Sequence, residues 1–84
     1  MRTEIKERII RIITKVTNTN EESLLQMSST KFNELGINSI EIIKLLVYVE
    51  NEFDIEFSDD FLGTTNFQTI DELVDIVVEL AEEQ

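Results

Sequence analysis

Apolar residues near the start of the chain recur at helical spacing. They occupy positions i, i+4, i+7, i+8 and i+11, which places them on one stripe of a helix. The stripe consists of Ile5, Ile9, Ile12, Ile13 and Val16. The pattern predicts a helix from about Thr3 to Thr17, and the segment TNTNEE is expected to form the turn that ends it.

Residues 18–38 show no such period. Their apolar residues are scattered among Ser, Thr and Asn, which is typical of a loop that touches the core at intervals. These residues are Leu24, Leu25, Met27, Phe32 and Leu35. A long loop is therefore expected here, and loops of this length are usually functional.

A second helix is predicted to begin beside Asn38. An asparagine caps a helix well, and Glu41 lies three residues later, at the spacing of a capping box. Ser39 then lies in the first turn. At about 100° per residue, five apolar residues of this helix share one stripe of the width that a core-facing helix needs. They are Ile42, Leu45, Leu46, Val49 and Phe53.

The same helix carries a second apolar stripe, formed by Ile40, Ile43 and Val47 and centred about 130° from the first. Ser39 lies between the two stripes. A surface helix is normally polar at such positions. Two interpretations are open: the long loop covers the second stripe, or the stripe is an exposed patch on which another protein docks.

The end of the chain predicts a further helix. Thr69 and Glu72 have capping-box spacing, and an apolar face follows them to about Ala81.

The segment SDDFLGTTNF offers a serine cap, two acids and a glycine stop, enough for a short helix of one or two turns. The predicted fold class is all-α, a small four-helix bundle with three main helices and one short helix, formed by residues 1–84 as a single domain. The apolar face of the last helix consists of Ile70, Leu73, Val74, Val77 and Leu80.

Composition narrows the possible functions. The 84 residues include no His and no Cys, so no side chain with an ordinary pKa between pH 5 and 8 is present. This weighs against acid–base catalysis, and no metal site is predicted. The longest apolar run is the five residues from Leu45 to Val49, and no signal peptide or membrane span is recognised. A cytoplasmic location is therefore the default expectation.

Charge is distributed unevenly along the chain. The net charge is −11, and residues 41–84 alone contain thirteen acidic groups and one base, Lys44. This field repels nucleic acid and anionic lipid, and it accelerates encounters with proteins that present a basic patch. An acidic surface can equally serve solubility alone.

The stretch LGINSIEIIKLLVYVENEFDIEF, residues 35–57, resembles the signature of acyl and peptidyl carrier proteins. In that family a DSL-like motif at the start of the second helix supplies a serine that bears 4′-phosphopantetheine. The corresponding residues here are Asn38, Ser39 and Ile40. The resemblance covers essentially the whole chain, because the order of helices and the long loop ending in Leu-Gly also agree.

The resemblance implies a role for each matching residue. A phosphopantetheinyl transferase, using coenzyme A and Mg²⁺, would esterify Ser39, and the thiol of the arm would hold acyl or aminoacyl groups as thioesters. The sulfur would thus come from a prosthetic group and not from the protein. Loading, condensing and transferring enzymes are the implied partners, and a monomer is expected. The residues that match partner contacts are Ile40, Ile43 and Val47, with Glu41 and Glu50 as flanking acids.

The chain departs from the family pattern at two positions. Asn38 stands where the family most often has Asp, which keeps the cap but removes a charge that a transferase reads. Lys44 lies in a helix that is strongly acidic in fatty-acid-synthase carriers, which brings this chain closer to carriers of polyketide or nonribosomal peptide pathways. The sequence begins at Met1 and ends in AEEQ without a linker, so a freestanding carrier is the expectation.

Three other classes of function compete with a carrier. An acidic helical binding module, such as an inhibitor of a basic enzyme, would explain the charge and would need neither Ser39 nor a prosthetic group. A calcium-binding helix pair is disfavoured because DIEFSDDFLG lacks the ligand pattern of such a loop. A catalytic serine is disfavoured because nothing evident activates the hydroxyl of Ser39.

Overall fold

A computed structural model of the protein describes residues 2–57 and 68–82. The described part contains four helices and no strand: α1 (Arg2–Thr17), α2 (Glu21–Gln26), α3 (Ser39–Phe53) and α4 (Ile70–Glu82). The all-α prediction is confirmed. The short helix predicted from SDDFLGTTNF lies outside the described residues.

Helix α1 lies at the centre of the described core. It packs against α2, α3 and α4. Its fully buried residues are Ile9, Ile10 and Ile13, with Ile5 nearly so, whereas Ile12 and Val16 are half-buried. The buried face therefore includes Ile10 and is displaced from the predicted stripe, because α1 contacts helices on more than one side.

The expectation of a continuous loop over residues 18–38 is wrong, because α2 lies within it. The side chain of Asn20 caps this helix by accepting a hydrogen bond from the Ser23 N–H at 3.2 Å. Glu21 and Glu22 then occupy the first turn, where they complement the helix dipole. The core contact of α2 is Leu24, which is 1% exposed.

The rest of this connection is attached to the start of α4. The Phe32 N–H donates to the Gln68 carbonyl at 2.7 Å, and the Asp71 N–H donates to the Ser28 carbonyl at 3.0 Å. Lys31 and Thr69 form an isolated antiparallel bridge. Backbone bonds thus fix a loop that has little secondary structure of its own.

A polar cluster reinforces this attachment from α1. The Lys6 ammonium lies 3.0 Å from the Asp71 carboxylate and donates to the Ser28 hydroxyl at 3.0 Å. Ser28 in turn donates to Asp71 at 3.1 Å. Burial opposes ionisation of Asp71, but hydrogen bonds from Lys6 and Ser28, with the charges of Lys6 and Arg2, lower its pKa below the ordinary value. The cluster joins α1, the loop and α4.

Helices α3 and α4 confirm the predicted core stripes. In α3, Leu45, Leu46 and Val49 are buried, and Ile42 and Phe53 pack partly buried against them. In α4 the fully buried residues are Ile70, Leu73, Val74 and Val77, while Leu80 is half-buried.

The cap of α4 differs in one bond from the predicted box. The Thr69 hydroxyl accepts from the Glu72 N–H at 3.1 Å, as expected. The Glu72 carboxylate, however, accepts from the Gln68 N–H at 2.9 Å. The Glu72 carboxylate thus binds the N–H of Gln68, the residue that precedes the cap. Because the Gln68 carbonyl accepts from the Phe32 N–H, Gln68 is held by hydrogen bonds at both its N–H and its carbonyl.

Candidate phosphopantetheine site at the start of helix α3

Ser39 is the first residue of α3, and it is exposed. The residue before it forms a complete capping box: the Asn38 side chain accepts from the Glu41 N–H at 2.8 Å, and the Glu41 carboxylate accepts from the Asn38 N–H at 3.0 Å. This confirms the predicted helix start. The box fixes the backbone on both sides of Ser39, so its hydroxyl is presented from a defined position.

The turn that leads into Ser39 depends on Gly36. This glycine has φ of +80°, a conformation that residues with a Cβ rarely adopt. The turn lets the Ile37 N–H donate to the Phe32 carbonyl at 3.0 Å and buries the Ile37 side chain to 5% exposure. An anchored, buried residue therefore lies only two positions before the exposed Ser39.

The second apolar stripe of α3 is exposed. Ile40 is 67% exposed, and Ile43 and Val47 are each 48% exposed. The interpretation that residues 18–38 cover this stripe is therefore wrong. Tyr48, which the sequence analysis did not single out, is also 56% exposed. The exposure of Tyr48 could have been inferred from its position next to Val47 on an amphipathic helix. The exposed apolar surface begins one residue after Ser39.

The two flanking acids predicted to contact partners also have roles within the chain. Glu41 is half-buried and belongs to the capping box. Glu50 is half-buried as well, and its carboxylate accepts from the Phe57 N–H at 2.7 Å. Local sequence does not predict the bond from Phe57 to Glu50, because it depends on the path of the chain after Asp54, which adopts a left-handed conformation at the C-cap. A carboxylate has several acceptor positions, so partner contact by either acid stays a prediction.

A cleft of about 410 Å³ opens beside Ser39. Its apolar lining comes from Phe32, Ile37 and Ile42. The polar lining comes from Lys31, Asn33, Asn38, Ser39 and Gln68. Residues 31–42 and the distant Gln68 therefore meet at the candidate site.

The local electrostatics fit a phosphate ester on Ser39. The N–H groups in the first turn of a helix and the positive end of its dipole favour an anion at the position that Ser39 occupies. Asn38 is neutral, so it adds no repulsion toward such an anion. Within residues 2–57 and 68–82, no three His, Cys, Asp or Glu side chains form a group that could hold a metal ion.

Comparison with known proteins agrees with this geometry. The profile of the family described as phosphopantetheine attachment site matches residues 7–77, which run from α1 into α4 and include Ser39. The chain belongs to this family of carrier proteins. A member of the family is a carrier and not an enzyme, and its prosthetic group is covalently attached 4′-phosphopantetheine.

Individual relatives match this chain over most of its length. The acyl carrier protein of Buchnera aphidicola subsp. Schizaphis graminum is 32% identical over 73 residues, covering 87% of this chain and 89% of the relative. That of Coprothermobacter proteolyticus is 37% identical over 65 residues, 77% of each chain. The acyl carrier protein of Chlorobium phaeobacteroides is 29% identical over 76 residues, covering 89% and 92%. No solved structure gives a significant match.

Family membership decides between the functions left open by the sequence. The chain is a phosphopantetheine carrier protein, and such carriers work with a phosphopantetheinyl transferase and with biosynthetic enzymes. An acidic binding module without a prosthetic group is no longer an alternative. Of the helices that the structure describes, none combines the length and the apolar character needed to cross a membrane.

Proposed function

We propose that Ser39 carries the 4′-phosphopantetheine arm and that the protein delivers acyl groups, held as thioesters on the arm, to the enzymes of a biosynthetic pathway. The observation that carries this proposal is the position of Ser39. It is the exposed first residue of α3, fixed by the Asn38–Glu41 capping box, and it lies beside the exposed apolar stripe.

The arm would supply the thiol that this chain lacks. The protein's own residues orient the attachment point and present it to other proteins. Ser39 is accessible to a transferase, while Ile37 on one side and the capping box on the other hold its backbone. An attached phosphate would lie at the positive end of the α3 dipole.

The exposed stripe of Ile40, Ile43 and Val47 is the proposed docking surface for partner enzymes. Apolar groups that are this exposed and grouped on one face, with charged residues around them, are typical of interaction sites. Glu41 and Glu50 flank the stripe, and residues 41–84 provide a negative field that attracts basic partners. The docking surface and the attachment point would then approach an enzyme together.

The cargo we propose is an acyl group. The relatives are acyl carrier proteins by name, which favours an acyl over an aminoacyl cargo. Lys44, which is exposed in α3, is the departure from fatty-acid-synthase carriers that favours a polyketide or nonribosomal peptide pathway. Competitive loading by fatty-acid and polyketide acyltransferases of known specificity distinguishes these pathways.

Intact mass spectrometry tests the attachment directly. The purified apo-protein is incubated with coenzyme A, Mg²⁺ and a promiscuous phosphopantetheinyl transferase. The wild type should gain the mass of one phosphopantetheine, and Ser39→Ala should gain nothing while retaining its helical circular dichroism. Ser29→Ala is the matched control, because Ser29 is also exposed but lies in the loop, and it should be modified like the wild type. A modified Ser39→Ala protein would overturn the proposal.

A further inference from the structure

Among the residues that the structure describes, one charged side chain, that of Lys31, lines the cleft beside Ser39. The other described residues that line it are uncharged. Its volume of about 410 Å³ lies within the range of small-molecule sites, about 300–1,000 Å³. The cleft thus combines an apolar lining, side-chain amides and a single cation next to the attachment residue.

Backbone hydrogen bonds hold the lining segments together. The Ile37 N–H donates to the Phe32 carbonyl at 3.0 Å, which brings residues 37–39 back beside residues 31–33. The Phe32 N–H donates to the Gln68 carbonyl at 2.7 Å, which adds the start of α4. Lys31 and Ser39 therefore face one cleft although eight positions separate them in the sequence.

Lys31 differs in its ion pairing from four of the five bases of α1. Arg2, Lys6, Arg8 and Arg11 each pair with a carboxylate of another helix. Lys31 is exposed, and no ion pair to it is found among residues 2–57 and 68–82. Its ammonium group is thus available to an anion that enters the cleft.

We propose that Lys31 pairs with the phosphodiester on Ser39 and that the arm rests along this cleft between encounters with partner enzymes. This inference rests on the proposed function, because it requires the arm on Ser39. Pantetheine has two amides and a geminal dimethyl group, which match the amide side chains of Asn33 and Gln68 and the apolar lining of Phe32, Ile37 and Ile42.

The resting arm must be released when a partner enzyme arrives. The ion pair between Lys31 and the phosphodiester is weak enough to allow this release. An exposed ion pair changes an equilibrium by only about 1.5- to 5-fold, and salt screens it. Lys31 is therefore a positioning residue: it shifts the population of the resting arm without trapping the arm.

Nuclear magnetic resonance of the apo and holo proteins tests this inference. The reporters are the side-chain amides of Asn33 and Gln68 and the methyl groups of Ile37 and Ile42. On conversion to the holo form their signals should move, and nuclear Overhauser contacts should join the geminal methyl groups of the arm to Ile42. Signals of Tyr48 and Val16, which line a different groove between α1 and α3, should stay in place.

Substitutions then isolate the charge of Lys31. In holo Lys31→Gln the shift changes at Gln68 should fall about 1.5- to 5-fold, with a similar fall for the wild type in high salt. Lys31→Arg should behave like the wild type. Lys44→Gln is the matched control, because Lys44 is an exposed lysine that lies outside this cleft, and it should have no effect.

The outcomes separate this inference from the proposed function. Intact mass first reports whether Ser39 carries the arm, and an unmodified Ser39 overturns both. If Ser39 is modified, the inference alone is overturned when the reporters in the cleft do not move. It is also overturned when Lys31→Gln matches the wild type, or when Lys31→Arg behaves like Lys31→Gln.

Discussion

Asn38 and Glu41 satisfy each other's backbone N–H groups across the first turn of α3, at 2.8 and 3.0 Å. Because Ser39 lies between them, the stability of the helix start and the presentation of the proposed attachment point depend on the same pair. Substituting Asn38 therefore affects both properties, and the two can be measured separately.

Asn38→Ala should lower the free energy of unfolding by about 0.5–2 kcal/mol, because the Glu41 N–H loses its side-chain acceptor. Asn38→Asp should leave stability nearly unchanged, since both residues cap well. Urea unfolding of the apo-proteins measures this. Asn51→Ala, an exposed substitution within α3, is the control and should cost no stability. If Asn38→Asp also speeds transferase modification, the family carboxylate contributes to transferase binding.

The two apolar stripes of α3 should respond oppositely to substitution. Leu46 is 1% exposed, so Leu46→Ala should cost about 2–5 kcal/mol, much of the stability of so small a domain. Ile43 is 48% exposed, so Ile43→Ser should change stability by no more than about 0.5 kcal/mol. Ile43→Asp should retain the fold but reduce acyl transfer to partner enzymes.

Thermal melts paired with a loading assay test whether the stripe that contains Ile43 is a docking surface and not part of the core. Ile43→Ser serves as the uncharged control for Ile43→Asp, because the aspartate adds a charge next to Lys44. Equal destabilisation by Ile43→Ser and Leu46→Ala would contradict the docking surface.

Glu50→Gln separates two roles of one carboxylate. Glutamine keeps an oxygen that can accept from the Phe57 N–H, so the fold should be retained with a loss below about 1 kcal/mol. The negative charge is removed, so partner association should slow, most clearly at low salt. Stopped-flow association with a loading enzyme measures the rate. An association rate equal to that of the wild type at all salt concentrations would show that Glu50 serves the fold alone.

Asp71 should make stability depend on pH in the acid range. Its pKa is lowered from 3.8 in the folded protein, so the folded state favours the carboxylate. The stability that this provides is present above about pH 4 and is lost as the pH falls through the folded pKa, where the carboxylate is protonated. Asp71→Asn should therefore unfold more easily than the wild type at neutral pH, and the difference should shrink below about pH 4.

Urea unfolding across this pH range measures the free energy of unfolding of the wild type and of Asp71→Asn. Asp75→Asn is the control, because Asp75 is an exposed acid of the same helix and its pair with Arg2 contributes little. A gap between the wild type and Asp71→Asn that stays constant down to acid pH would contradict this role of the Lys6–Ser28–Asp71 cluster.

Local patterns in the sequence were sufficient to predict three helices, whereas Ser39 was proposed as the attachment residue from the family resemblance. Isoleucine spacing identified α1, and side chains three residues apart identified the starts of α3 and α4, because helix periodicity and caps depend on near neighbours. Helix α2 was missed because its six residues make less than two turns, too few to show a period. The bond from Phe57 to Glu50 and the cleft shared by Lys31 and Ser39 were also missed, because they depend on how distant segments pack.

The central place of α1 also determines when the core can form during synthesis. This helix leaves the ribosome first, yet its ion pairs with Asp71 and Asp75 join it to residues near the other end of the sequence. Until α4 has been made, the isoleucines that α4 contacts stay in water, and short helices on their own are marginal. We therefore expect the nascent chain to remain largely unfolded until α4 has emerged, and the domain then to fold cooperatively.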